Sequence, residues 1–167
     1  MPQLATSEVL QPSTTPCPTL TAQETRLVHR ALHVLERRMF QREAPIPSPR
    51  ALYDYLRLKL AGERHEVFGV VFLDSQHRAI TFDALFQGTI NQAAVYPRVI
   101  VKRAMDLNAC AVILVHNHPS GVSQSSDADR ALTERICASL GLIDVRVLDH
   151  VIVGSGTPFS FAEAGLL

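Results

Sequence analysis

The chain has 167 residues, with 16 Lys plus Arg against 16 Asp plus Glu, 47% apolar residues and 19% charged ones. That length is about one domain and buries roughly two thirds of the surface its unfolded form exposes. The composition excludes a wholly disordered chain, no apolar run approaches the ~18 residues of a membrane span, and the zero formal charge argues against a strongly cationic nucleic-acid module while leaving room for a local basic patch.

Residues 1–20 carry no Lys or Arg and no continuous apolar stretch, so no secretory signal is expected there. Pro2, Pro12, Pro16 and Pro18 among Ser, Thr and Gln predict a flexible leader over 1–20. Val28, Leu32, Leu35 and Met39 recur at helical spacing and predict an amphipathic helix over 22–42, within a helix-and-linker segment 21–45. Glu43 to Pro47 breaks it. Ser48 before Pro49 is an N-cap followed by proline at the first helical position, predicting a second helix over 49–61 that ends at Gly62. Gly62 is the first glycine in the chain, so the N-terminal third offers no place for the tight left-handed turns of a DNA-binding helical hairpin.

From there the chain alternates. Glu66–Asp74 and Ala79–Phe86 read as two strands joined by the turn Ser75–Arg78. Pro97 opens a helix to about Asn108, Ala111–Val115 is the continuous apolar run of a central strand, and Ser126–Leu140 is helical. Val145–Val153 is a further strand and Phe161–Leu167 a short terminal helix. Strands alternating with helices predict an α/β domain with a mixed sheet over 46–167. Cys17, Cys110 and Cys137 are odd in number and form no Cys-x-x-Cys, so neither a disulfide framework nor a thiolate zinc site is indicated. Cys110 and Cys137 are expected to be buried thiols, and the expected compartment is a reducing cytoplasm.

The central strand runs directly into His116-Asn117-His118-Pro119. Histidines at i and i+2 of extended backbone point the same way, at the strand end where open α/β sheets place their sites. Asp129 follows after a loop rich in Ser and Gly. Two imidazoles and a carboxylate are a three-ligand set for catalytic Zn²⁺, with the fourth position open to water, whose pKa the metal lowers. Such a hydrolase also needs a carboxylate that is not a ligand, to carry the proton. Glu66 is the first candidate, because it opens a core strand; Glu63, in the preceding turn, is its competitor. Ser126 could steady an oxyanion. Ser126-Asp127-Ala128-Asp129 also fits a capping box, and the two roles are compatible. His150, in the strand LDHVIVG beside Asp149, reads equally as a hydrogen-bonded core histidine or as a support for the metal site. His29 and His33 lie four apart on the first helix with Arg26, Arg30, Arg37, Arg38 and Arg42; a solvated face is the simpler reading than a metal pair or a phosphate-contacting surface.

The string His116-Asn117-His118-Pro119-Ser120-Gly121, then Ser126 and Asp129, resembles the JAMM metalloprotease pattern of His-x-His-Pro, Ser and Asp. In its HNHPSG form it is similar to bacterial RadC-like proteins, as are Glu66 with Phe68, Gly88-Thr89, Pro97-Arg98, Asp149-His150 leading into Val151–Gly154, and Ser160-Phe161. The resemblance covers about residues 46–167. It implies a JAB/MPN fold related to cytidine deaminases, with a mixed sheet flanked by helices. It also implies zinc held by His116, His118 and Asp129, a general acid/base at Glu66 and support of a tetrahedral intermediate by Ser126. Asn117 stands where the general JAMM form has Ser or Thr, as is usual for RadC-like chains, which sets this chain apart from eukaryotic-style isopeptidases. Longer RadC proteins carry a helix-hairpin-helix region, so this chain is expected to be the short form. The resemblance therefore implies a zinc hydrolase of peptide or isopeptide bonds acting on a protein or peptide. The alternatives are a metal-binding module without proteolysis, or a DNA-associated accessory factor. HNH nucleases disperse their three residues along the chain, and zinc deaminases need a Cys-x-x-Cys pair.

Overall fold

The computed structural model describes residues 20–40, 46, 48–88 and 94–167. Most of the leader, Cys17, Arg42, most of the Glu43–Pro47 break and Thr89 lie outside the described residues.

Helix α1 (Ala22–Met39) begins at a capping box in which the Thr21 hydroxyl accepts from Glu24 N and the Glu24 carboxylate accepts from Thr21 N. Helix α2 (Pro49–Leu60) begins at Ser48, whose hydroxyl accepts from Ala51 N. Strand β1 (Val67–Leu73) pairs antiparallel with β2 (Ala79–Gln87) and, on its other side, antiparallel with β3 (Ala111–Asn117). Helix α3 (Pro97–Asp106) leads into β3, and α4 (Asp127–Gly141) carries the chain from β3 to a parallel partner, β4 (Arg146–Val153). A two-residue strand β5 (Phe159–Ser160) closes the mixed sheet, whose order is β2-β1-β3-β4-β5.

Alternation sorts the strands into two cores. Val67, Val71 and Leu73 of β1 with Ala111, Ile113 and Val115 of β3 pack beneath α1 and α2. Phe68, Val70 and Phe72 with Val112 and Leu114 pack against Ile100 and Ala104 of α3 and Ile136 and Leu140 of α4. All seven residues of β3 are buried, as a central strand covered on both faces must be.

Two sequence expectations change. Phe161–Leu167 is not a helix: Phe159–Ser160 pairs with β4 and the chain then runs through turns, with Leu166 N donating to Phe161 O at 2.8 Å. Cys110 is exposed and Cys137 half-buried. Cys110 falls just before β3, where the edge of the apolar run meets solvent.

Candidate metal centre

β3 extends through His116 and Asn117, so the first histidine of the pair belongs to the sheet rather than to a loop beyond it. His116 is 1% exposed and lies on the α4 side, its ring stacked on Phe68 at 6.0 Å between centroids and 12° between planes. His118 follows one residue past the strand, its backbone N–H donating to Val153 O at 2.9 Å, so β4 holds it in line.

Asp129 sits in the first turn of α4, where capping and centre divide its carboxylate between them. Oδ2 accepts from Ser126 N at 2.7 Å and from the Ser126 hydroxyl at 2.6 Å, while Oδ1 faces His116 Nε2 at 3.2 Å. Burial pushes this carboxyl's pKa up, but the hydrogen bonds it accepts from Ser126 work against that, and the group is held well below the usual carboxylate range.

Proton positions at the centre follow from partners that can only accept. Thr133 Oγ1 lies 2.6 Å from the Asp129 carbonyl, so its one hydrogen is spent there. The same oxygen, 2.6 Å from His150 Nδ1, must then accept, which puts a hydrogen on Nδ1 and leaves His150 Nε2 bare. His150 Nε2 lies 2.8 Å from His116 Nδ1, so that nitrogen carries the hydrogen and His116 Nε2 presents a lone pair. At His118, Nδ1 lies 2.8 Å from the Val122 carbonyl and must donate, so its Nε2 is a lone pair too. Two bare nitrogens 2.8 Å apart, with carboxylate oxygens at 3.2 and 3.7 Å, repel one another unless a positive charge lies among them. Donors about 2.0 Å from a tetrahedral cation sit about 3.3 Å apart, so the set fits a metal ion closely. Among the described residues it is the one such group of three or more His, Cys, Asp or Glu, with all ligand atoms within 4.8 Å.

His150 is the hydrogen-bonded core histidine of its first reading: it is fully buried, and its partner is His116, one of the three candidate ligands. Burial and the neighbouring His116 lower its pKa well below the usual histidine value, keeping it neutral. It reaches His116 because of a β-bulge. Val112 pairs with Val147 but Ile113 pairs with Asp149, so the register skips Leu148. Leu148 and Asp149 therefore both line the α2 side, and His150 turns to the α4 side. Phe68 meets its ring edge-on at 5.6 Å and Phe161 stacks on it at 4.7 Å. Asp149 works on the other face, accepting from the Ser160 hydroxyl at 2.7 Å and Ala162 N at 3.0 Å to tie down the terminal turns.

Glu66 lies one residue before β1, half-buried. Phe68 pairs with His116, so continuing that antiparallel register sets Glu66 beside His118. Alternation puts it on the Phe68 face, the side to which both histidines point. Glu63 is exposed in the turn closing α2. His29 and His33 are exposed on α1 and gain no third ligand among the described residues.

The loop that supplies Val122 O is braced against the end of β4. Gly121, at φ +84°, accepts through its carbonyl from Ser155 N at 2.9 Å, and a Cβ on Gly154 would lie 2.5 Å from that same oxygen. Gly154→Ala is therefore expected to push the loop off its seat. It should cost about 1–3 kcal/mol of stability and weaken metal affinity, read by thermal melting and by chelator competition.

Comparison with known proteins agrees with this geometry. The family model described as "RadC-like JAB domain" matches residues 46–166. A UPF0758 protein of Methylibium petroleiphilum is 57% identical over 139 residues, covering 81% of this chain and 63% of the relative. One from Stutzerimonas stutzeri is 56% identical over 133 residues, 80% of this chain and 58% of the relative, and one from Leptothrix cholodnii 58% over 120 residues, 72% and 54%. The chain thus spans about three fifths of the length of these curated relatives. The mixed five-stranded sheet with its four helices is the α/β arrangement expected of a JAB/MPN fold, and the chain belongs to the RadC-like JAB domain family.

Proposed function

We propose that the chain is a zinc-dependent hydrolase of amide bonds, a metallopeptidase of the JAMM type, with a protein or peptide as substrate. The observation that carries this reading is the convergence of three deprotonated donors, His116 Nε2, His118 Nε2 and Asp129 Oδ1, at the end of a buried strand. Two imidazoles and one carboxylate suit zinc among the common divalent ions, and a bound zinc supplies an acidified water and an electrophile for a carbonyl oxygen. The chain's own residues do the rest. Glu66 takes the proton from the attacking water and returns it to the leaving nitrogen. His118 and Asp129 hold the donor side fixed through Val122 O and Ser126. The Ser126 hydroxyl already donates to Asp129, so supporting an oxyanion requires it to turn away from that carboxylate. The exposed thiol of Cys110 suits a reducing cytoplasm, and no helix among the described residues is long and apolar enough to cross a membrane.

Glu66→Gln is the test. With zinc loaded, the wild-type chain is expected to cleave members of a mixed peptide library read by mass spectrometry. The variant should keep its zinc and lose cleavage by a factor of about 10² or more. Equal cleavage by both proteins removes Glu66 from the reaction. No cleavage by either, with zinc bound, favours a metal-binding module, and salt-sensitive DNA binding in that event favours the accessory-factor reading.

A further inference from the structure

We propose that Asn117 is a positioning residue for Glu66, coupling the proton carrier to the two histidines through one tripeptide; the inference rests on the reading of Glu66 given above. The paired ladder between β1 and β3 ends at Phe68 and His116. One step further, where β1 begins, a side chain takes over. Val67 N–H donates to Asn117 Oδ1 at 2.8 Å, and Asn117 Nδ2 donates to His65 O at 3.1 Å. Those two groups belong to the peptide units on either side of Glu66. The second of these units is held at its other end as well, because Gly88 N–H donates to Glu66 O at 2.7 Å. Both backbone torsions of Glu66 are therefore bracketed by hydrogen bonds.

The arrangement depends on strand alternation. His116 and His118 point to the α4 side, so Asn117 between them points to the other, and a single extended tripeptide serves two tasks. It also depends on the amide. One planar group must accept from Val67 and donate to His65, from a position only 4% exposed. A serine hydroxyl is one atom shorter and has one oxygen for both bonds. An aspartate keeps the acceptor for Val67 but turns a second negative oxygen on the His65 carbonyl. Glu66 is thus placed by the strand that carries the histidines and not by the flanking turn.

The test uses the full chain loaded with cobalt(II), whose visible absorption reports the surroundings of the coordination sphere. Wild type, Glu66→Gln, Asn117→Ala and Asn117→Asp are compared at neutral pH, with affinity from chelator competition and fold from circular dichroism. All four are expected to bind one cobalt with affinities within about threefold, a smaller loss than removing a residue that orients a ligand directly. Glu66→Gln should change the visible band, and both Asn117 variants should move it in the same direction. An Asn117 pair that keeps the wild-type band while Glu66→Gln shifts it overturns the proposal and leaves the reading of Glu66 intact. A Glu66→Gln band identical to wild type overturns that reading and this proposal together. Loss of cobalt or of fold in both Asn117 variants makes the residue a support of the ligands or of the sheet, and also overturns it.

Discussion

Replacing His118 by alanine is expected to leave the protein folded and unable to hold zinc. Of the three candidate ligands, His118 is the one whose removal isolates the metal. His116 is a core side chain stacked on Phe68, so its loss would also open a cavity. Asp129 closes the capping box of α4, so its loss would also unpair Ser126 N–H. His118 is half-buried, and its ring bonds one loop carbonyl, Val122 O, apart from the facing donors. Two protein donors in place of three should lower zinc occupancy of the purified chain from one equivalent to near none, measured by elemental analysis after dialysis. A second reading comes from melting: zinc at a hundred times its Kd should stabilise the wild type by about 2.7 kcal/mol and the variant by nothing measurable. Zinc bound equally by both proteins would sink the assignment of the centre.

Disrupting His150 is expected to cost both stability and metal. His150→Ala removes a fully buried ring from between Phe68 and Phe161, leaves His116 Nδ1–H without an acceptor and takes from the Thr133 oxygen the one hydrogen bond it accepts. Cavity and orphaned groups together should destabilise the fold by about 3 kcal/mol or more. The specific claim is separated from packing by His150→Phe, which keeps an aromatic in the stack but cannot hydrogen-bond. Without the His150 acceptor, His116 is free to place its hydrogen on Nε2, where the metal must bind. Zinc affinity should then fall about 10- to 100-fold. Wild-type affinity in His150→Phe would mean that the chain from Thr133 through His150 to His116 does not set the tautomer.

What the sequence shows of this molecule follows distance along the chain. The string from His116 to Asp129 is local, and its spacing alone brings the three candidate ligands into view. The capping box at Ser126 is equally local, and it turned out to share one carboxylate with the centre. Helices α1, α2, α3 and α4 and the four longer strands stand close to where periodicity and caps put them. The apolar run ends at Val115, two residues before the strand does, because hydrophobicity cannot tell a buried histidine from the start of a loop; β3 continues through Asn117. The task of Asn117 is a contact with a residue 50 positions away, which no local pattern carries. The terminal segment was misread for the same reason. Its few apolar residues suit a short helix, whereas what organises it is pairing with β4 and the Asp149 carboxylate. For His150 the sequence leaves two readings level, and a register skip that only strand pairing reveals turns its ring to His116.

That skip at Leu148 makes the length of β4 matter as much as its composition. Before the skip the strand presents Val147 to the α4 face; beyond it the strand presents His150 and Ile152 to the same face. Deleting Leu148 would restore simple alternation and leave Asp149 and His150 on the faces they now occupy. One residue inserted between the skip and Asp149 would instead exchange the two polar neighbours between the faces of the sheet. Asp149 would then stand against Thr133 and His116, and His150 would stand among Tyr53 and Ser160, each buried beside the other's partners. The apolar residues of β4 can trade places with one another at small cost, but such an insertion would set a carboxylate beside the centre in place of a neutral ring. Relatives that keep the centre should therefore carry no inserted residue between the skip and His150.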